Sequence, residues 1–272
     1  RYYGNRYASL YAKIPHSLRR QLIGPILNRL PSGSWYKSKA HQLSWLHRLS
    51  FLEGGDRYAE SLNYFYCDGQ FRRKLYGHDA SQYYPPGESA ESAISIPYRM
   101  ATANDEVDRM LYADSNVRMP DHSVMILDRM SMSHSLEARS PFLDHKLAEF
   151  CAKLPSKFKV RGRSLRYMQR KLAERYLPKE ILQRPKQGFA VALPYMLQTE
   201  YRTIFRAFLT RSRLAADGIV RQQGIDNVLH EHFEQGRDHG NRLWLLANLE
   251  VWYRMMILKT SAADITEMLK GD

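Results

Sequence analysis

Leu127-Asp128-Arg129-Met130-Ser131-Met132-Ser133-His134-Ser135-Leu136-Glu137-Ala138-Arg139-Ser140-Pro141-Phe142-Leu143-Asp144 sets an ion-rich run against an apolar turn. Glu137, Arg139 and Asp144 form a candidate ion cluster around Ser140-Pro141, with Asp128 and Arg129 on the preceding helix. Arg139 presents a planar fork that suits a carboxylate or phosphate through two parallel hydrogen bonds. The competing reading is a salt-bridge network that pins two helices, because Pro141 and Phe142 have the character of packing residues. Further along, Arg184-Pro185-Lys186-Gln187-Gly188-Phe189 aims one lysine from a loop stiffened by Pro185 and freed to turn by Gly188. A compact ammonium on a stiff loop suits negative charge that grows on a phosphate in a transition state. A surface-loop lysine is the plain alternative.

Outward from these two stretches the chain reads as mostly α. Leu143, Leu147, Phe150, Cys151 and Leu154 recur at helical spacing, which predicts an amphipathic helix ended by Pro155 with Cys151 as a buried thiol. Leu165, Met168, Leu172 and Tyr176 predict a second, closed by Pro178. Leu243, Leu246, Leu249, Trp252, Tyr253 and Met256 predict a long apolar helix over 240–258. Thr102 with Asp105 offers a capping box for a helix running to Asn116. Pro120-Asp121 then opens another, with Asp121 as its N-cap. The segment 1–77 reads as short helices (17–23, 37–52, 56–65) broken by Pro and Gly. Tyr83-Tyr84-Pro85-Pro86-Gly87 cannot continue a helix, so 78–103 is expected to be a linker and 104–272 a helical core carrying the lysine loop. No run alternates well enough to be a strand.

Composition narrows the function. The 272 residues carry 41 Lys and Arg against 28 Asp and Glu, a net charge of +13 that favours anionic partners. The abundant Tyr and Arg before Gly77 could stack on bases. Aromatics at helical spacing more often pack a core, however, and no recognised nucleic-acid motif is present, so nucleic acid is not an expected partner. Two cysteines, Cys67 and Cys151, without CxxC spacing argue against a disulfide framework or a cysteine zinc site and fit a reducing cytoplasm. The apolar runs fall far short of a membrane span. His230-Glu231-His232 with His239 is a weak metal candidate, since positions i and i+2 of a helix face different ways, and no metal site is expected. Glu53-Gly54-Gly55-Asp56 lacks the following Ser and preceding strand of a phosphate loop, so a helix-to-helix turn is expected.

Taken together, Asp128-Arg129-Met130-Ser131-Met132, Ser135-Leu136-Glu137-Ala138-Arg139 and Pro141-Phe142-Leu143-Asp144 resemble the glutamine-hydrolysing asparagine synthetase family of bacteria. Leu177-Pro178, Ile181, Arg184-Pro185-Lys186-Gln187-Gly188-Phe189, Asn241-Arg242-Leu243-Trp244 and Leu249-Glu250-Val251-Trp252 extend the resemblance in matching order. It implies the helical C-terminal portion of an α/β ATP-pyrophosphatase (adenine nucleotide alpha hydrolase-like) synthetase domain. It further implies a two-step ligase. ATP with Mg2+ adenylates the side-chain carboxylate of aspartate, and ammonia from a separate glutaminase domain then displaces AMP. Lys186 matches the family residue that reaches the phosphates. Gln187, Gly188 and Arg139 are then proximal to ATP or pyrophosphate, with Asp128, Arg129, Glu137, Asp144 and Arg184 as the framework. A homodimer is compatible with the full-length family protein.

The departures are as informative. The chain opens at Arg1 without the family's N-terminal Cys nucleophile, and it lacks the Ser-Gly-Gly-x-Asp-Ser loop and the acidic Gly-rich motif. The expectation is a fragment that neither hydrolyses glutamine nor makes aspartyl-AMP alone. An amidotransferase of the same family acting on another carboxylate, such as a peptide or sugar acid, remains open, as do a non-catalytic scaffold and a basic helical nucleic-acid-binding module.

Overall fold

A computed structural model describes residues 2–29, 39–63, 69–77, 91–162, 164–184, 193–199 and 201–270. The described residues are mostly helical, as expected. Their strands are Val160–Arg161 and Ser164–Leu165, an antiparallel pair turned at Gly162, whose φ of 60° suits glycine. Two-residue strands are too short to show alternation. The chain divides into two compact units, one of 1–20, 46–62 and 89–188, the other of 21–45, 63–88 and 189–272.

In the first unit, helices Tyr2–Tyr11, Gly54–Leu62, Ser92–Met100 and Glu106–Ala113 gather around Tyr58, Tyr98, Met110 and Ala113. Gly55 lets two of them meet. A Cβ there would lie 2.9 Å from the Ser95 carbonyl oxygen. Buried Arg57 and Arg19 tie the connecting turns. Arg57 donates to the Leu52 carbonyl at 2.7 Å, and Arg19 to the Ile14 carbonyl at 2.8 Å and the Ser50 carbonyl at 2.6 Å. Of Glu53-Gly54-Gly55-Asp56, expected to be a turn, only Glu53 lies outside helix Gly54–Leu62; Gly54, at φ 48°, opens it.

Several local expectations change. Helix Ser92–Met100 occupies part of the stretch read as a linker; the Tyr83–Gly87 run lies outside the described residues. Asp105, not Thr102, caps Glu106–Ala113 by accepting the Val107 N–H at 2.8 Å. No helix starts at Asp121. The chain instead runs through a π-helical segment, Asp114–Val124, directly into helix Met125–Met132. Its wider turns take Pro120 without the break that a tight α-turn would require. Leu165 lies in the hairpin, and Arg166 turns left-handed at φ 56°, so the second amphipathic helix is only Tyr167–Ala173. Helix His145–Lys153 forms as expected. Its apolar face is uncovered, however, and Cys151 is exposed rather than buried.

The second unit holds the larger core. Helices Leu193–Gln198, Arg202–Thr210, Gln222–Phe233, Gly240–Trp252 and Ala262–Lys270 bury Leu197, Phe205, Leu209, Ile225, Leu243 and Ile265. Gly69–Leu75 packs on Gln222–Phe233 at Gly224, where a Cβ would lie 2.8 Å from the Lys74 carbonyl oxygen. The long apolar helix exists as Gly240–Trp252, continued by a π-helical turn, Tyr253–Ile257. It buries Leu243 and Leu246 but exposes Leu249, Trp252 and Met256.

Candidate functional site

Helix Met125–Met132 carries Asp128 and Arg129, both exposed. It ends in a reversal. Ser135 adopts φ 59° and the Leu136 N–H returns to the Ser131 carbonyl at 3.0 Å. This left-handed residue with its back-directed N–H terminates the helix and redirects the chain. The next residues, 136–140, are non-helical, and there Arg139 grips Glu137 in a fork. Nε donates to Oε1 at 2.9 Å and Nη2 to Oε2 at 3.2 Å. The side chains are 84% and 62% exposed. An ion pair so open to water contributes at most about 1 kcal/mol, so a competing carboxylate or phosphate can displace Glu137 at little cost.

Pro141–Leu143 then makes one 3-10 turn, and Asp144 caps His145–Lys153 by accepting the Leu147 N–H at 3.1 Å. Asp144 therefore sets the helix start. Arg184 closes helix Lys179–Gln183 with φ −55° and ψ 132°, the extended geometry that a following proline imposes. Arg170 Nη2 holds the end of that helix by donating to the Leu182 carbonyl at 2.5 Å. Lys186, Gln187 and Gly188 lie outside the described residues. Glu137 and Arg139 are thus brought together. Among the described residues no hydrogen bond or ion pair joins Asp128, Arg129 or Arg184 to them.

Sequence reasoning missed an anchor of this segment. Lys159 Nζ donates to Asp108 Oδ1 at 2.7 Å and to the Ala152 carbonyl at 3.0 Å, tying the hairpin region to helix Glu106–Ala113. The partners are 51 residues apart, and nothing local in either stretch signals the pairing.

The histidines weighed as metal ligands pair differently. In the second unit, His239 Nε2 donates to Glu231 Oε2 at 2.7 Å, while its Nδ1 accepts from Arg242 Nη1 at 2.8 Å. Burial first, opposed by Glu231 and aided by Arg242, lowers the His239 pKa, so this is a neutral imidazole bonded at both nitrogens. Burial works against ionisation of Glu231, but His239 and Arg237 outweigh it and lower its pKa. Arg242 also stacks 4.2 Å from the centre of the Phe71 ring. Phe71, Lys74, Asn227, Glu231, His239 and Arg242 line a cleft of about 190 Å3. Among the described residues no three His, Cys, Asp or Glu are arranged to hold a metal ion.

A helical framework with an open carboxylate–guanidinium fork defines a candidate for handling anionic groups. Comparison with known proteins gives the class. The family model for asparagine synthase matches residues 5–254, and the chain belongs to that family. Asparagine synthetase [glutamine-hydrolyzing] 1 of Bacillus subtilis is 24% identical over 254 residues, covering 92% of this chain and 37% of the relative. A putative asparagine synthetase [glutamine-hydrolyzing] of Mycobacterium tuberculosis is 26% identical over 254 residues, covering 93% and 36%. Asparagine synthetase [glutamine-hydrolyzing] 3 of Bacillus subtilis is 42% identical over a shorter 93 residues. The chain spans little more than a third of the length of the first two relatives. No solved structure matches it. Among the described residues no helix is long and apolar enough to cross a membrane.

Proposed function

We propose that this chain is the helical C-terminal portion of an α/β ATP-pyrophosphatase-type synthetase domain, serving an ATP-dependent ligase that converts aspartate to asparagine. The observation that carries this reading is the family match across 5–254. In the first step a side-chain carboxylate oxygen of aspartate attacks the α-phosphorus of ATP, taken as its magnesium complex. The α–β phosphoanhydride bond breaks and pyrophosphate leaves. In the second, ammonia released from glutamine attacks the acyl carbon of aspartyl-AMP, AMP departs, and the nitrogen gives up a proton.

The chain's own residues have two kinds of work in this reading. Lys186 supplies a positive charge to the phosphate oxygens as negative charge builds on the departing pyrophosphate. Arg139, whose fork already fits a carboxylate in Glu137, exchanges that partner for an anionic group of the substrate. Asp144 caps the helix that follows Arg139 in the chain, and Arg184 closes the helix that precedes Lys186. The described residues offer no acidic cluster for magnesium, so no step is assigned to a protein-bound metal.

The test is ATP–pyrophosphate exchange dependent on an acid, run on the intact protein with a panel of aspartate, peptide and sugar carboxylates. Aspartate-dependent exchange that Lys186→Ala slows strongly supports the reading, and preference for another acid reassigns the acceptor. Exchange catalysed by the 272-residue chain alone would overturn the claim that it is only one portion of the site.

A further inference from the structure

The cleft in the second unit has no part in the ligase chemistry proposed above. Helix Gly69–Leu75 brings Phe71 and Lys74 to it, and Gln222–Phe233 brings Asn227 and Glu231. Arg242 lies in the first turn of Gly240–Trp252, and His239 directly precedes that helix. The volume of about 190 Å3 lies below the roughly 300–1,000 Å3 of sites for drug-sized ligands. It equals the liquid volume of about six water molecules, so a ligand of roughly six to ten non-hydrogen atoms fits and a nucleotide does not.

Two opposite charges are fixed on its wall by one ring. Buried His239 accepts from Arg242 Nη1 at 2.8 Å through Nδ1 and donates to Glu231 Oε2 at 2.7 Å through Nε2. An uncharged imidazole therefore stands between a guanidinium and a carboxylate. Each of these is held a second time. The guanidinium sits 4.2 Å from the centre of the Phe71 ring, and Glu231 Oε1 pairs with Arg237 at 3.2 Å. Charged groups positioned before a ligand arrives lose little freedom on binding it. Around them stand further donors. Among the described residues Lys74 Nζ has no hydrogen bond or ion pair. Asn227 uses its Oδ1 on Gln223 at 3.2 Å, which leaves its NH2 group to donate.

The ligand must answer both signs. Inorganic phosphate and dicarboxylates suit Lys74 and Arg242 but set further negative charge against Glu231. A bare metal ion finds too few ligands among the described residues. An α-amino acid carries a carboxylate and an ammonium on one carbon, within the size the cleft admits. We propose that this cleft binds a free α-amino acid, with its carboxylate on Arg242 and Lys74 and its ammonium on Glu231. The planar fork of Arg242 suits the carboxylate. The carboxylate of Glu231 has lone pairs beyond those used by His239 and Arg237. His239 is a positioning residue that keeps the two charges apart. The proposal stands independently of the ligase reading.

The experiment is isothermal titration calorimetry on the full chain, without ATP, using L-serine, L-asparagine, L-aspartate and L-leucine as probes. The tightest of them is then compared with its analogue lacking the ammonium and its analogue lacking the carboxylate. The expected result is one-to-one saturable binding with Kd below about 1 mM, and at least about tenfold weaker binding of each analogue. Lys74→Ala should weaken binding about fivefold or more, and its exposed position keeps the fold intact. Arg242→Lys should do the same, because lysine keeps the charge and loses the fork. Arg139→Ala removes an equal charge at the exposed fork of the first unit and should leave this affinity unchanged. A melting curve of each variant confirms that it folds, and Lys74→Ala decides the matter if Arg242→Lys does not. The proposal is overturned if none of the four amino acids binds saturably, or if either analogue binds as tightly as the amino acid. It is overturned as well by tighter binding of inorganic phosphate, by an unchanged affinity in Lys74→Ala, or by a loss of affinity in Arg139→Ala. Since no exchange is measured, failure of the ligase reading leaves this result standing.

Discussion

The hydroxyl of Ser212 donates to the carboxylate of Glu250 at 2.7 Å, and Glu250 is wholly buried. The same carboxylate accepts the N–H groups of Arg213 at 2.7 Å and Leu214 at 3.2 Å, and Arg254 Nε at 2.7 Å. One side chain of helix Gly240–Trp252 thus satisfies the N-terminus of helix Arg213–Ala216. Glu250→Ala would leave two N–H groups and a hydroxyl buried without their acceptor. The expected loss is about 3–5 kcal/mol of unfolding free energy. Glu250→Gln, which keeps one acceptor oxygen, should cost about 1–3 kcal/mol. Urea denaturation of the two variants, compared at equal slope, checks the order.

Gly55→Ala should destabilise the first unit. Alanine is favoured over glycine inside a helix by about 1 kcal/mol. Its methyl would meet the Ser95 carbonyl oxygen at 2.9 Å, a backbone atom that cannot swing aside. Overpacking of this kind costs about 1–3 kcal/mol, so the net change is a loss. Thermal unfolding followed by circular dichroism reads it; an unchanged or raised midpoint would contradict the close crossing.

Stability should fall as the solution is acidified below neutrality. His47, His232 and His239 all have pKa values lowered from 6.5, in each case by burial first. The unfolded chain therefore binds protons near pH 6.5 while the folded chain resists them until lower pH. The stabilisation is complete above 6.5 and is lost as pH falls toward the lowered folded values. Glu231, lowered from 4.5, extends the same trend at more acid pH. Unfolding midpoints from pH 7.5 to 5 should decline, and His239→Gln should decline less steeply than the parent.

Lys186→Ala in the intact protein should lower kcat/KM for the adenylation step by about 2–4 kcal/mol of transition-state stabilisation, with folding unchanged. Steady-state exchange kinetics and a melting curve separate the two effects. A scaffold role predicts no kinetic change.

Much of the local structure was legible. The 145–153 helix follows from Leu147, Phe150 and Cys151. The long C-terminal helix follows from the spacing of Leu243 and Leu246. Pro120 misled, because a wider π-helical turn absorbs a residue that an α-turn rejects. The Glu137–Arg139 pairing was anticipated as a cluster, but its membership was not. Asp144 turned inward to cap its own helix.

Local periodicity and motif spacing determined which stretches are mostly helical and which family the chain resembles, since those depend on neighbours a few residues apart. They also marked an apolar stripe on 145–153, but a stripe does not say what lies against it, and Cys151 is exposed. The tertiary structure alone decided burial and pairing. Lys159 finds Asp108 across 51 residues, and Glu250 finds Ser212 across 38. Desolvation and long-range hydrogen bonds act through space, and no pattern along the chain encodes which distant groups will share it.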